Sequence, residues 1–291
     1  MSEAPGSYYL PNPSPWPIVA SCGLFSLAIG FVMLMNDISL GPWLMLIGAG
    51  IIIFMMVGWF GTVIGESEGG QYNTDVDTSF RMGMAWFIFS EVMFFGGFFG
   101  ALFYVRNLAV PWLGETELLW PGFEAVWPTA GPEGASIIAS DTPAEEGQFS
   151  TIGAWGIPFW NTAILLSSSV TVTIAHHALI ANHRAKLIFW LALTVVLGVL
   201  FLVLQASEYH HAYSELGLTL GTGVYGATFF MLTGFHGFHV TIGAIMLTVI
   251  WFRCIRGHFK PERHFAFEAA AWYWHFVDTV WVGLFILVYV L

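Results

Sequence analysis

Ionisable side chains inside long apolar runs are the residues of this sequence that could do chemistry. Glu91 lies in an aromatic-rich run, while His275 and Asp278 are three positions apart in the last apolar run. His236 and His239 have the same spacing in the run before it. Residues three apart share one face of a helix. An ionisable group within a membrane is costly, so each of these side chains must have a partner or a function.

Each of these groups has a structural and a functional interpretation. Glu91 is about 10 residues, or about 15 Å, from the start of its predicted helix, which places it near the middle of a bilayer. It is either a proton-handling or lipid-anchoring carboxyl, or a neutral carboxyl hydrogen-bonded to a neighbouring helix. His275 and Asp278 are predicted to form a polar pair that orients helices, and a proton relay is the alternative.

Histidines on several helices could also ligate haem or a metal ion. Seven histidines, named at the end of this paragraph, lie in or beside the predicted spans. In sequence order, the first two belong near one membrane surface and the next two near the other. Only the last three approach the middle of the membrane. Because this gives no opposed pair at one depth, we predict no metal or haem ligand in the chain. His236 and His239 are instead predicted to make hydrogen bonds between helices. The histidines considered are His176, His177, His210, His211, His236, His239 and His275.

The elements that must position these groups are membrane-spanning helices. Of the 291 residues, 57% are hydrophobic and 9% are charged, against about 25% charged in soluble domains. A bilayer needs about 20 apolar residues per helix. Seven runs qualify, so we predict an all-α polytopic membrane bundle of seven transmembrane helices, which cover residues 16–36, 41–65, 80–105, 155–181, 187–208, 222–252 and 267–291.

The distribution of charge predicts the orientation of the bundle. Residues 1–15 contain no Lys or Arg, so they lack the positive region of a signal peptide, and we predict that the first span is retained. A cytoplasmic N-terminus leaves only Arg106 outside and gives a periplasmic C-terminus. Residues 107–154 then form an external acidic loop. The cations placed inside are Arg81, Arg184, Lys186, Arg253, Arg256, Lys260 and Arg263.

Other patterns narrow the possible functions. The net charge of −11 excludes nucleic-acid binding. The sequence contains no GxSxG, HExxH, Walker or dinucleotide motif, so we predict no catalytic residue. Two GxxxG motifs, Gly61 with Gly65 and Gly96 with Gly100, predict close helix packing.

Four ordered stretches closely resemble cytochrome c oxidase subunit III. They are SEVMFF at 90–95, PFWNT at 158–162 followed by AHHAL at 175–179, YGATFF at 225–230 with TGFHGFHV at 233–240, and HFAFEAAAWYWHFVD at 264–278. Together they run through the third to seventh predicted spans. The chain is therefore identified as a member of this family, within an aa3-type haem-copper oxidase.

The resemblance implies an architecture and a set of partners. One membrane domain, 1–291, would comprise a two-helix arm, 16–65, and a five-helix bundle, 80–291, separated by a V-shaped cleft filled with phospholipid. The chain would be a non-catalytic subunit without a redox centre. It would pack on subunit I and stabilise it, in a proton-pumping complex with subunit II and cytochrome c as electron donor. Haem a, haem a3 and copper would reside in the partner subunits.

The resemblance also implies roles for single residues. Glu91 corresponds to the family's intramembrane carboxylate, which faces the cleft. Arg253 resembles an arginine that holds a lipid head group, and Trp59 and Glu66 resemble aromatic and acidic lipid contacts. A guanidinium at the membrane boundary can bind phosphate with two hydrogen bonds, although the positive-inside rule alone would also account for Arg253.

The outer loop, rich in insertions, and Gly100 resemble bacterial members of the family, so we expect a bacterial inner membrane. Two stretches also depart from mitochondrial relatives. The stretch GQYNT at 70–74 replaces QGHHT, and FFGALFY at 98–104 replaces FFWAFFH. Two other functions stay open at this stage. One is the equivalent subunit of a quinol oxidase, and the other is an independent transporter or proton channel that uses Glu91, Asp278 and the histidines.

Overall fold

The computed structural model of the protein describes residue 9 and residues 13–291. Within these residues, seven helices are long and apolar enough to cross a membrane, which confirms the predicted all-α bundle. Most of the N-terminal tail, whose cytoplasmic position was predicted, lies outside the described residues. The helices are α1 (Trp16–Met35), α2 (Gly41–Glu68), α3 (Thr74–Tyr104), α4 (Val110–Gly114), α5 (Ile157–Ile180), α6 (Arg184–Ser214), α7 (Gly223–Arg256) and α8 (Phe265–Leu284).

The chain forms two compact units, unit 1 (Met1–Met82) and unit 2 (Gly83–Leu291). In unit 1, glycines bring the backbones of α1 and α2 together. A methyl group at Gly41 would lie 2.6 Å from the backbone nitrogen of Leu34, and one at Gly48 would lie 2.7 Å from that of Leu27. Only a residue without a side chain allows this approach, which is the usual way in which small residues pack helices in a membrane.

The predicted GxxxG contacts are wrong. Among the described residues, a methyl group at Gly61, Gly65, Gly96 or Gly100 would meet no atom within 4 Å outside its own helix backbone. These four positions therefore face open space within this chain, and the close contacts fall on Gly41 and Gly48 instead. Spacing alone could not distinguish the two sets, because both put small residues on one helix face.

The second and third predicted spans are separated by the polar residues 66–79. The connection between α2 and α3 in the structure is shorter than this stretch. Only residues 69–73 are non-helical. The side chain of Asn73 accepts a hydrogen bond from the backbone N–H of Val76 at 3.0 Å, and Asp75 and Asp77 lie in the first turn of α3. A side-chain cap and acidic residues both stabilise a helix start, so polar residues extend the helix beyond the apolar run.

The core of unit 2 is formed by α5, α6, α7 and α8 around a fully buried indole. Methyl groups at Gly198 on α6 and Gly243 on α7 would lie 2.6 Å and 2.8 Å from the ring of Trp274 on α8. The ring nitrogen of Trp274 donates to Ser168 on α5 at 2.8 Å. One side chain of α8 is thus fixed by residues of three other helices.

The segment predicted as an external loop begins later than expected and is partly structured. Helix α3 continues through a π-helical turn (Val105–Ala109) into α4, so the spanning helix ends at Gly114. Two short parallel strands follow, β1 (Ser136–Ile138) and β2 (Gln148–Ser150). Phe149 is fully buried against Leu216, Leu218 and Tyr225. Phe149, together with backbone hydrogen bonds such as that from Ser150 N–H to the Leu216 carbonyl, therefore holds the acidic segment against the helices of unit 2.

Candidate functional sites

Glu91 and His239 form a polar pair between α3 and α7 inside unit 2. His239 Nε2 lies 3.0 Å from Glu91 Oε2, and His239 Nδ1 lies 2.7 Å from the carbonyl oxygen of Phe235. Since a carbonyl can only accept, Nδ1 carries a hydrogen. Nε2 and the Glu91 carboxyl then form the hydrogen bond that joins α7 to α3.

The face of α3 around Glu91 is open on the side away from His239. The Glu91 side chain is 22% exposed and that of His239 is 10% exposed. Phe87 and Phe94, one turn before and one turn after Glu91 on the same helix, are exposed apolar residues. The carboxyl thus lies at the border between the packed interior of unit 2 and an apolar surface that a bilayer or a partner chain would cover.

His236 and His239 both lie on α7, but they make hydrogen bonds to different helices. His236 Nε2 donates to the carbonyl oxygen of Val277 on α8 at 3.1 Å, and only 1% of His236 is exposed. The two histidines therefore do not pair with one another. Each makes a hydrogen bond to another helix.

His275 and Asp278 both contact Ser169 on α5. Ser169 Oγ donates a short hydrogen bond to Asp278 Oδ2 and lies 2.9 Å from His275 Nδ1. A hydroxyl has one hydrogen, so His275 Nδ1–H donates to the serine oxygen. The predicted polar pair is thus a three-residue group that links α8 to α5 through a serine that the sequence did not single out.

A fourth polar group, centred on Glu208, was also missed. Glu208 Oε1 accepts from Gln205 Nε2 at 3.0 Å and from Tyr289 OH at 2.7 Å. Asn161 on α5 donates to Gln205 at 3.3 Å. The fifth predicted span ends at Glu208, but α6 continues to Ser214 and Glu208 is buried. The residues after Glu208 are hydrophilic, so hydropathy predicts that the helix ends there. A helix that packs on its neighbours can nevertheless continue beyond its apolar run.

Arg253 does not close its helix. Helix α7 continues to Arg256 and ends at Gly257, whose φ of 81° is left-handed. Arg253 is 8% exposed, and its guanidinium lies 4.5 Å from the centre of the Phe259 ring. A cation over an aromatic face is a stabilising contact. Arg253 is therefore a buried residue, one turn inside the helix.

Trp59 and Glu66 belong to unit 1. Trp59 is half exposed and stacks on Phe60. Glu66 Oε2 accepts a hydrogen bond from Tyr72 OH at 2.6 Å. Burial, reinforced by the hydrogen bond to Glu66 and its negative charge, raises the pKa of the Tyr72 phenol well above its usual range. The carboxyl thus has a partner in the α2–α3 connection, and Trp59 presents an apolar ring outwards.

A further cluster lies at one end of unit 2, where α5 and α7 end and α6 and α8 begin. We call it the basic end, because Arg184, Arg253 and Arg256 lie there. His176, His264 and Glu268 each place one ligand atom within 4.8 Å of the others. Within the described residues, this is the set of histidines, cysteines and acids whose geometry could hold a metal ion.

Comparison with known proteins assigns the family. The sequence model of cytochrome c oxidase subunit III matches residues 6–139 and 146–291. The cytochrome c oxidase subunit 3 of Marchantia polymorpha is 41% identical over 283 residues, which cover 97% of this chain and 95% of that protein. That of Struthio camelus is 40% identical over 290 residues, which cover 99% and 98%. These matches extend over nearly the whole chain, and we conclude that it belongs to the cytochrome c oxidase subunit III family.

Proposed function

We propose that this chain is a non-catalytic subunit that stabilises subunit I of a proton-pumping cytochrome c oxidase. As a member of its family it is part of an oxidase complex. In our proposal the complex reduces O2 with electrons from cytochrome c, and haem a, haem a3 and copper reside in subunits I and II. The chain lies in a bacterial inner membrane with its N-terminus in the cytoplasm, as the positive-inside rule supports.

The observation that carries this proposal is that the polar groups inside unit 2 form hydrogen bonds between neighbouring helices. Glu91 binds His239, His236 binds the backbone of α8, and Asp278 with His275 binds Ser169. Each group joins two helices instead of facing a shared cavity. Interhelical hydrogen bonds of this kind hold a membrane bundle together. A rigid scaffold is the role that such an arrangement supports.

Bound phospholipid is the second part of the proposal. The exposed apolar residues of α3 and the partly exposed Glu91 carboxyl give unit 2 a surface for acyl chains. Arg253 is the proposed contact for a head-group phosphate. Arg253 is largely buried, and its guanidinium lies beside the ring of Phe259 in the 257–263 loop. Lipid held at this end would place fixed charges near the site of proton uptake.

Removing the chain from the complex tests the scaffold role. The intact complex and the complex without this chain are compared for haem content, initial rate and the number of turnovers before inactivation. We expect both to retain haem, and we expect fewer turnovers and slower proton uptake when the chain is missing. Equal turnover numbers would contradict the proposal, and proton flux through the reconstituted chain alone would favour a channel instead.

The lipid contact needs its own test. We expect Arg253→Ala to lower the number of phospholipids that mass spectrometry finds in the purified complex and to shorten its turnover lifetime. Arg256→Ala is the matched control, because Arg256 is one helical turn away and exposed. Unchanged lipid content and lifetime in Arg253→Ala, with normal assembly, would rule out this role for Arg253.

A further inference from the structure

We infer that His176, His264 and Glu268 form a binding site for a divalent transition-metal ion of the zinc class. The ligand atoms come from the end of one helix and the start of another. His176 directly precedes the last turn of α5, His264 directly precedes α8, and Glu268 is in the first turn of α8. A bound ion would therefore join the end of α5 to the start of α8. This inference departs from the expectation that the histidines hold no metal.

The distances fit tetrahedral coordination. His264 Nε2 lies 3.2 Å from Glu268 Oε1, and His176 Nε2 lies 3.7 Å from the same oxygen. Zinc bonds of about 2.0–2.2 Å at tetrahedral angles separate neighbouring ligand atoms by about 3.3 Å. The two observed separations lie on either side of this value. All three ligand atoms lie within 4.8 Å of one another, so side-chain rotations could bring them to bonding distance of one ion.

The histidine ring next to α8 is already oriented for coordination. His264 Nδ1 lies 3.3 Å from the carbonyl oxygen of Lys260. This carbonyl accepts a hydrogen from Nδ1, which leaves the lone pair of Nε2 directed towards Glu268. Metal-binding histidines typically use one nitrogen for the ion and donate the other to a carbonyl or carboxylate. The contact between Lys260 and His264 is a supporting interaction of this kind.

The second histidine is oriented by packing. The ring of His176 lies 5.4 Å from that of Phe267, which is buried, and 5.3 Å from that of His264. The side chains of His176 and Glu268 are 27% and 15% exposed. The cluster is thus enclosed enough to exclude bulk water from most of its surface, yet an ion can reach it from the basic end.

The donor set selects the class of ion. Two imidazoles and one carboxylate are the three protein ligands of several zinc sites that keep a fourth position for water. Magnesium and calcium prefer oxygen ligands, and nitrogen ligands favour zinc and copper. The nearby arginines disfavour any cation, so binding here depends on strong bonds to nitrogen rather than on long-range attraction. We therefore expect Zn²⁺ to bind and Mg²⁺ not to compete.

The alternative occupant of the cluster is a proton. His264 and Glu268 are four residues apart at the start of α8, and a protonated imidazole could form an ion pair with the carboxylate. An ion pair needs only these two residues. A metal site needs His176 as well, and it tolerates a thiolate in place of an imidazole. These two differences separate the interpretations experimentally.

The test measures zinc bound to the whole purified complex after removal of loosely held metal. Zn²⁺ is added in equilibrium dialysis with excess Mg²⁺, and zinc per haem is determined by mass spectrometry. We expect wild type to bind one more zinc ion than Glu268→Gln, or to bind it at least about 10-fold more tightly. His177→Ala is the matched control, because His177 is adjacent and exposed. It should bind zinc as wild type does.

Two further variants and one spectrum complete the design. His176→Ala should lose the ion, and His264→Cys should retain more zinc than His264→Ala because a thiolate is a good zinc ligand. Zinc-edge X-ray absorption of the wild-type complex with one added equivalent should show imidazole in the first shell, and it requires no variant to assemble. Equal zinc in wild type, Glu268→Gln and His176→Ala, or a first shell of oxygen alone, would overturn the inference.

Discussion

Units 1 and 2 hold their helices together in different ways. In unit 1, α1 and α2 touch through glycines, and their outward faces carry exposed apolar residues such as Phe25, Trp43 and Phe54. In unit 2, polar side chains link neighbouring helices and a buried indole fills the centre. The difference shows that unit 1 is stabilised by close backbone approach, whereas unit 2 is stabilised by specific side-chain contacts. Unit 2 is therefore the part of the chain suited to act as a rigid scaffold.

The largest expected effect comes from removing the central side chain of unit 2. Trp274→Ala leaves a cavity beside Gly198 and Gly243 and removes the hydrogen bond to Ser168. We expect a loss of about 3–5 kcal/mol in the free energy of unfolding. Resistance of the chain to unfolding in graded detergent measures it. Trp160→Ala is the control, because Trp160 on α5 is exposed. Equal losses in both variants would show that Trp274 is not the centre of the bundle.

The contact between α1 and α2 should respond to added bulk. In Gly48→Leu, the new side chain would meet the backbone of Leu27. We expect this to cost about 1–3 kcal/mol and to separate the two helices. Cross-linking of cysteine pairs placed on α1 and α2 measures the separation. Gly61→Leu, on the same helix but facing open space, should leave cross-linking unchanged. If Gly61→Leu is the more disruptive variant, the glycine contact is wrongly placed.

A smaller effect is expected at the pair of Glu91 and His239. A double-mutant cycle with Glu91→Gln and His239→Gln should give a coupling energy of about 1 kcal/mol, the size found for hydrogen bonds between membrane helices. Detergent unfolding of the four proteins measures it. Additive losses would mean that the two side chains do not interact.

The smallest effect belongs to the α2–α3 connection in unit 1. Tyr72→Phe removes the hydrogen bond to Glu66 and should cost about 0.5 kcal/mol, because the site is partly exposed. The pKa of the Tyr72 phenol is higher in the folded chain than in the unfolded chain. As pH rises, the unfolded chain therefore loses the phenol proton near pH 10.0, before the folded chain does. The contribution of Tyr72 is thus present below that pH and is lost above it. Unfolding of wild type and Tyr72→Phe should therefore converge at high pH, and a constant difference would contradict this.

Much of the fold could be predicted because apolar run length is set by bilayer thickness. The seven spans follow from this constraint alone. The ends of the helices could not be predicted as well, since α3 and α6 continue into polar residues that are capped or packed. Asn73 caps the first of these, and Glu208 is buried in the second.

The polar groups were partly predictable. Spacing identified Glu91, His236, His239, His275 and Asp278 as residues that need partners, because an ionisable group at membrane depth is rare. It could not name their partners, since Ser169, for example, comes from another helix and is a common residue type. The cluster at the basic end was missed because His176 and His264 are 88 positions apart in the sequence. Only the packing of α5 against α8 brings them together.

The most direct test of the central claim is the distribution of redox centres after gentle separation of the complex. The chain is tagged and purified with its partners, then removed, and haem a and copper are measured in each fraction. If the chain is a non-catalytic scaffold, haem and copper co-purify with the complex and stay with the partner subunits. Haem retained by the isolated chain would contradict this account.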